Sequence, residues 1–80
     1  MQVDNIRAFT IDVPQAAIDD LKERLAHTRW PDRETVDDWD QGTPLAYAQD
    51  LAAYWRDGYD WRAVEARLNA LPNHLATIDG

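Results

Sequence analysis

The sequence predicts a mainly α domain: three short amphipathic helices with extended N- and C-terminal segments. Three observations lead there. Apolar residues recur at helical spacing in three separate windows, start and stop signals separate those windows, and β-branched, alternating runs occur only near the two ends. With 80 residues the chain is at most one small domain with a thin core.

Residues 6–13 form the first element. Ile6, Phe9, Thr10, Ile11 and Val13 make an alternating, β-branched run that ends at Pro14, which reads as an extended stretch. Pro14 suits the first turn of a helix over 14–28, because a missing N–H costs nothing there. Ala17, Ile18, Leu21, Leu25 and Thr28 share one face of it, and Asp20 and Arg24 form an i,i+4 ion pair. Trp30-Pro31 stops this helix, and the acidic, turn-rich residues 31–42 (PDRETVDDWDQG) form a loop.

Thr43-Pro44 starts the second helix, over 43–57, with a capping hydroxyl followed by proline. Its apolar face is Leu45, Ala48, Leu51, Ala52 and Trp55, flanked by Tyr47 and Tyr54, and Gly58 supplies a left-handed stop. Asp60 caps the third helix, over 60–71, whose stripe is Trp61, Val64, Leu68 and Leu71 before Pro72 ends it. The aromatic stretch YWRDGYDW is thus a helix–turn–helix corner with Trp55 and Trp61 pointing inward. The expected core is Ile18, Leu21, Leu25, Leu51, Trp55, Trp61 and Leu68. Residues 74–80 are extended and end in Asp79-Gly80, the signature of a two-residue hairpin turn. The second strand of that hairpin is missing. The tail therefore reads as the start of a truncated hairpin, an unpartnered strand at the front of a longer polypeptide.

Composition excludes several function classes. A net charge of −7, with scattered basic residues, offers nothing to a phosphate backbone or an anionic membrane, and no apolar run is long enough to span a bilayer. The chain has no cysteine, hence no disulfide scaffold or thiolate metal site, which fits a reducing compartment. A cytoplasmic protein is expected. His27, His74 and the acidic cluster Asp37, Asp38 and Asp40 match neither HExxH nor an EF-hand loop, so no metal is expected. His27 reads as a helix C-terminal cation near Glu23. No GxSxG elbow, phosphate loop or dinucleotide fingerprint is present, and neither catalytic residues nor cofactor-binding residues are assigned. Trp30 and Trp39 lie in loops with little of their own chain to pack on. With Ile78 on the open strand, they are the candidate interface residues.

Together, Arg29-Trp30-Pro31, Asp38-Trp39, Tyr54-Trp55, Tyr59-Asp60-Trp61-Arg62, Glu65, Leu68-Asn69 and Ile78-Asp79-Gly80 carry a resemblance over nearly the whole chain. From Ile6 to Gly80 it resembles the N-terminal domain of epoxide hydrolases of the microsomal and juvenile-hormone type, in the α/β-hydrolase superfamily. The resemblance implies a helical meander packed on an α/β-hydrolase core and its cap, with the Ile78-Asp79-Gly80 turn opening the first hairpin of the core sheet. It also implies a two-step reaction in which an aspartate opens the epoxide to an ester and a histidine–acid pair activates water to release the diol. Those groups, the oxyanion loop and the two cap tyrosines all belong downstream of position 80; Tyr47, Tyr54 and Tyr59 are not the cap tyrosines. The chain departs from relatives at His74, where an aromatic is usual, and at Asp40-Gln41, where Ser-Tyr is usual.

The expected function is therefore that of a non-catalytic N-terminal domain of an enzyme of epoxide metabolism and detoxification. Its partner would be an α/β-hydrolase catalytic domain, in the same chain or in trans, and a homo-oligomer is left open. The rival is a free-standing helical module that binds another chain through exposed tryptophans and an open strand.

Overall fold

The computed structural model describes all residues from Met1 to Gly80, in the order β1 (Val3–Ala8), α1 (Gln15–Ala26), α2 (Leu45–Asp57), α3 (Trp61–Asn69) and β2 (His74–Ile78). The residues group into two compact units, one of Met1–Val13 with Asp60–Gly80 and the other of Pro14–Tyr59.

In the first unit the two ends of the chain pair. β1 and β2 form an antiparallel two-stranded sheet, with Val3 opposite Ile78, Asp4 opposite Thr77, Arg7 opposite Leu75 and Ala8 opposite His74. Between Asp4 and Arg7, β1 carries two residues where β2 carries only Ala76, so the ladder bulges. Asn5 absorbs the bulge at φ 51°, a left-handed conformation that Asn tolerates better than most residues. The Arg7 guanidinium donates to the Asn5 carbonyl at 3.1 Å.

Beyond Ala8 the chain stays beside α3 without a strand partner, and side chains take over the ladder. Phe9 N–H still donates to the Asn73 carbonyl at 2.8 Å. At Ile11 the Asn69 amide does both jobs of a neighbouring strand, accepting from Ile11 N–H at 2.8 Å and donating to its carbonyl at 2.8 Å. Two residues on, Glu65 Oε2 accepts from Val13 N–H at 2.9 Å. Glu65 is also bridged by Arg62, at 3.0 Å to Oε1. The Trp61 indole N–H, buried and without an acceptor in hydrogen-bond geometry, lies close enough to favour the same carboxylate. The Asp60 carboxylate caps α3 by accepting from Ala63 N–H at 3.1 Å, and the Asn73 amide donates to the Leu68 and Leu71 carbonyls at its other end.

In the second unit α1 packs against α2. Ile18 and Leu25 on α1 and Leu45, Ala48 and Ala52 on α2 are half-buried. Asp20 and Arg24 pair at 2.8 Å on the open face of α1, and His27 caps its end with Nδ1–H donating to the Glu23 carbonyl at 2.9 Å. The segment between the helices is ordered by its own polar groups, chief among them Glu34, which reaches Leu45 N–H at 2.8 Å.

Four expectations are corrected. The fold is not mainly α with loose ends: three helices accompany a two-stranded antiparallel sheet, because the unsatisfied backbone of one terminus finds the other some seventy residues away. For the same reason the C-terminal run is no unpartnered half-hairpin; β1 is its partner. The anticipated common core is absent: no apolar residue is fully buried, and α3 groups with Met1–Val13 rather than with α1 and α2. The turn chemistry also differs. Thr43 makes no cap hydrogen bond, and Gly58 sits at φ −108° rather than in the left-handed region. Gly58 is required for space: a Cβ there would lie 2.9 Å from the ring of Tyr54.

Two predictions follow from this frame. Val13 N–H, and after it Arg62, hold the Glu65 carboxyl below its ordinary 4.5, against the opposing effect of burial. A depressed carboxylate stabilises the fold above the unfolded value, and that contribution disappears as pH falls through the folded one. Urea midpoints measured downward from pH 6 should therefore decline below about pH 4.5, with a smaller decline in Glu65→Gln. An identical acid slope in the variant would remove Glu65 from the account. At the bulge, Asn5→Val should cost about 1–2 kcal/mol in thermal unfolding and Asn5→Gly nearly nothing, because only the left-handed backbone is at issue.

Candidate docking surface

The missing core leaves large apolar side chains at the surface. In the first unit Ile6, Leu71 and Ile78 are more than half exposed, and in the second Leu51, Tyr47, Tyr54 and Trp39 are. Exposed apolar surface of this extent on so small a chain makes these residues the candidate contact surface.

The three candidate interface residues fall in two places. Ile78 lies on β2 in the first unit, opposite Val3 and 54% exposed. Beyond it Asp79 and Gly80 sit at φ 52° and 81°, the pair of positive values that a primed two-residue turn needs. Asp79 is held by Gln2, through its N–H to the Gln2 carbonyl at 2.9 Å and from Gln2 N–H to its carboxylate at 2.7 Å.

Trp30 and Trp39 both belong to the second unit but make separate contacts. Trp30 lines an open groove of about 410 Å³ together with Arg33, Glu34, Gln41, Leu45 and Ala48. Glu34 fixes this groove. The Leu45 N–H, and then its own N–H, hold the Glu34 carboxyl below the usual range, with Arg33 a further cation at 3.7 Å. By taking the first free N–H of α2, Glu34 does the capping that Thr43 does not. Trp39 is not on that groove. It sits on the loop beyond, with its ring edge-on to Tyr47 at 5.0 Å between centroids and 66° between planes.

Sequence reasoning missed Glu34, Gln41 and Tyr47. No local signal gave Glu34, whose target lies eleven residues away. Gln41 bonds Thr35 through both ends of its amide, and a Gln six residues from a Thr in a loop is no recognised pattern. Tyr47 was read only as flanking the apolar face of its helix.

No hydrogen bond joins His27 or His74 to a carboxylate or a hydroxyl, and no three His, Asp or Glu side chains stand close enough to share an ion. The depressed carboxyls of Glu34 and Glu65 are used up on backbone N–H groups, and that of Asp57 on the adjacent Arg56 at 2.8 Å. No helix is long and apolar enough to cross a membrane.

Residues 6–80 match the family described as epoxide hydrolase N terminus. Among curated proteins, the chain is 59% identical over 75 residues to a protein of Stigmatella aurantiaca (strain DW4/3-1) named "Putative epoxide hydrolase", covering 94% of this chain and 17% of that protein. It is 27% identical over 77 residues to "Epoxide hydrolase 1" of Sus scrofa, again over 17% of the relative, and 25% identical over 80 residues to "Epoxide hydrolase 1" of Oryctolagus cuniculus, over 18%. The chain thus spans about a sixth of the length of these relatives.

A half-exposed indole whose main contact is one edge-on ring contributes little to the chain that carries it. In the 80-residue chain, Trp39→Ala should cost about 0.5–1.5 kcal/mol, the range of an aromatic pair, and not the roughly 3–5 kcal/mol of a buried Trp. A thermal melt decides it, and a loss at the upper value would place Trp39 in a core.

Proposed function

We propose that this chain, which belongs to the epoxide hydrolase N-terminal family, is the non-catalytic N-terminal part of an enzyme that converts epoxides and water to vicinal diols. Within such an enzyme its task is to dock on an α/β-hydrolase catalytic domain through Trp30, Trp39 and Ile78. The observation that carries this reading is the family match over residues 6–80 on a fold that buries no apolar side chain fully. A domain with no closed core of its own is suited to completing another one.

The tail supports the same reading. With β1 on one edge, β2 has its other edge free, and the positive φ values at Asp79 and Gly80 are those of a primed hairpin turn. A following strand could pair there and lead into a hydrolase sheet. The two chemical steps, attack of a carboxylate on the epoxide carbon and hydrolysis of the resulting ester, need a nucleophile, a water-activating base and an oxyanion site. None of these is assembled in these 80 residues, so they are assigned to the catalytic domain. The free outer edge of β2 would also serve a free-standing interaction module, and it is the family match over residues 6–80 that favours the enzyme part.

The test is an assay of diol formation from styrene oxide. The 80-residue chain should give no diol above the buffer rate, and the protein translated from the whole reading frame should turn the epoxide over. Diol formation by the isolated chain would overturn the assignment of the chemistry to another domain, and an inactive full-length protein would overturn the assignment of the family's activity.

A further inference from the structure

We propose that Trp39 is a preformed docking anchor, presented by a self-braced acidic loop to a cationic, apolar-centred surface on the catalytic part of the same protein. This rests on the functional reading above and adds to it the chemical character of the surface that receives the loop.

The loop spends its polar groups on holding its own shape. The Gln41 side chain accepts from Thr35 N–H at 3.0 Å and donates to the Thr35 hydroxyl at 2.8 Å, which closes the loop across its base. Inside that bracket Asp38 accepts from Asp40 N–H at 2.9 Å, and Gly42 N–H donates to the Trp39 carbonyl at 2.9 Å. Gly42 makes that closure at φ +99°, where a side chain would be strained. Tyr47 sets the indole from the side. After all this bracing Trp39 remains 56% exposed and Tyr47 52%. A loop built only to hide an indole would not hold it out in water. Fixing a Trp before a partner arrives lowers the entropy cost of binding, and Trp is the residue type most enriched among interface anchors.

Charge selects the partner. Beyond the Arg33–Glu34 pair, whose carboxylate is taken by Leu45 N–H, the loop carries Asp32, Asp37, Asp38 and Asp40 with no further cation between Asp32 and Asp40. Such a rim favours a surface bearing Lys or Arg around an apolar hollow and opposes an anionic one. A second copy of this chain, at net charge −7, would be repelled. The relatives are about six times longer than the chain, so the catalytic part is the surface at hand in the same molecule.

The experiment uses the full-length protein from the same reading frame, with amide hydrogen exchange over residues 36–42 followed at 50 and 500 mM NaCl. In the wild type these amides should exchange at least about tenfold more slowly than in the 80-residue chain, the factor expected for one anchor. Trp39→Ala should abolish that difference. Gln41→Ala keeps the indole but frees the loop, and should reduce the difference severalfold. The triple variant Asp37→Asn, Asp38→Asn and Asp40→Asn preserves shape and acceptors, so protection should persist and lose its dependence on salt. Epoxide turnover by the same preparation keeps the two questions apart. An active enzyme whose 36–42 amides exchange as in the free chain, or whose protection responds to salt identically with and without the three charges, overturns this proposal alone. A full-length protein without turnover counts against the functional reading.

Discussion

The contact on which the first unit depends is the side-chain ladder between the Ile11–Val13 backbone and one face of α3. Asn69 and Glu65 stand one helical turn apart, so their polar ends reach alternate residues of an extended chain about 7 Å further along. That match of spacings lets a helix imitate a strand edge. Without it, three backbone groups would be left unsatisfied at the point where the chain passes from the sheet to α1, each a loss of about 1–3 kcal/mol if buried. Glu65 is the one residue of the chain that is buried, and it is a carboxylate.

A domain organised this way has its specificity in directed hydrogen bonds and little of its stability in burial. Glu65 fixes Val13, Glu34 fixes Leu45, and Asp60 and Asn73 close the two ends of α3. Such bonds set direction and contribute modestly to net stability, whereas the apolar side chains left at the surface would contribute more if they were covered. The geometry is therefore set locally, and under the proposed docking role the larger part of the available stabilisation would come when those apolar side chains are covered. That division fits the proposed role of presenting Trp30 and Trp39 in a fixed pose to a catalytic domain.

Helix positions were legible in the sequence because their signals are local. Proline ahead of α1 and α2, Asp60 ahead of α3 and the 3.6-residue apolar stripes needed no knowledge of the rest of the chain. The sheet was not, because its two halves lie at opposite ends and only a tertiary contact identifies them as partners. Asn5 did contain a hint, as a residue tolerant of left-handed backbone inside a β-prone run. On α3 the apolar stripe Trp61, Val64, Leu68 and Leu71 holds only for its first half: Trp61 and Val64 are half-buried, whereas Leu68 and Leu71 are exposed. The most shielded line is Trp61, Glu65 and Asn69, at i, i+4 and i+8, and a reading that scores only apolar periodicity passes over it. Of the candidate interface residues, the exposure of Trp30, Trp39 and Ile78 could be anticipated from their loop and tail positions. The devices that hold the two tryptophans, Glu34, Gln41 and Tyr47, could not, since each acts across a distance that no pattern encodes.

The aromatic stretch YWRDGYDW shows how one composition can serve several ends. Gly58 and Tyr59 both donate their N–H to the Tyr54 carbonyl, so α2 ends in a tight double closure, and the Tyr54 ring folds over Gly58 to meet Tyr59 edge-on at 6.5 Å. Glycine is there to admit a ring, not to turn left. Trp55 keeps nearly half its surface open on α2, while Trp61 is half-buried beside Glu65 and lends its indole N–H to that carboxylate's field. Two tryptophans six residues apart thus do different things. One supports the polar ladder that orders the N-terminal segment, and the other adds to the apolar surface that the proposed catalytic domain would cover.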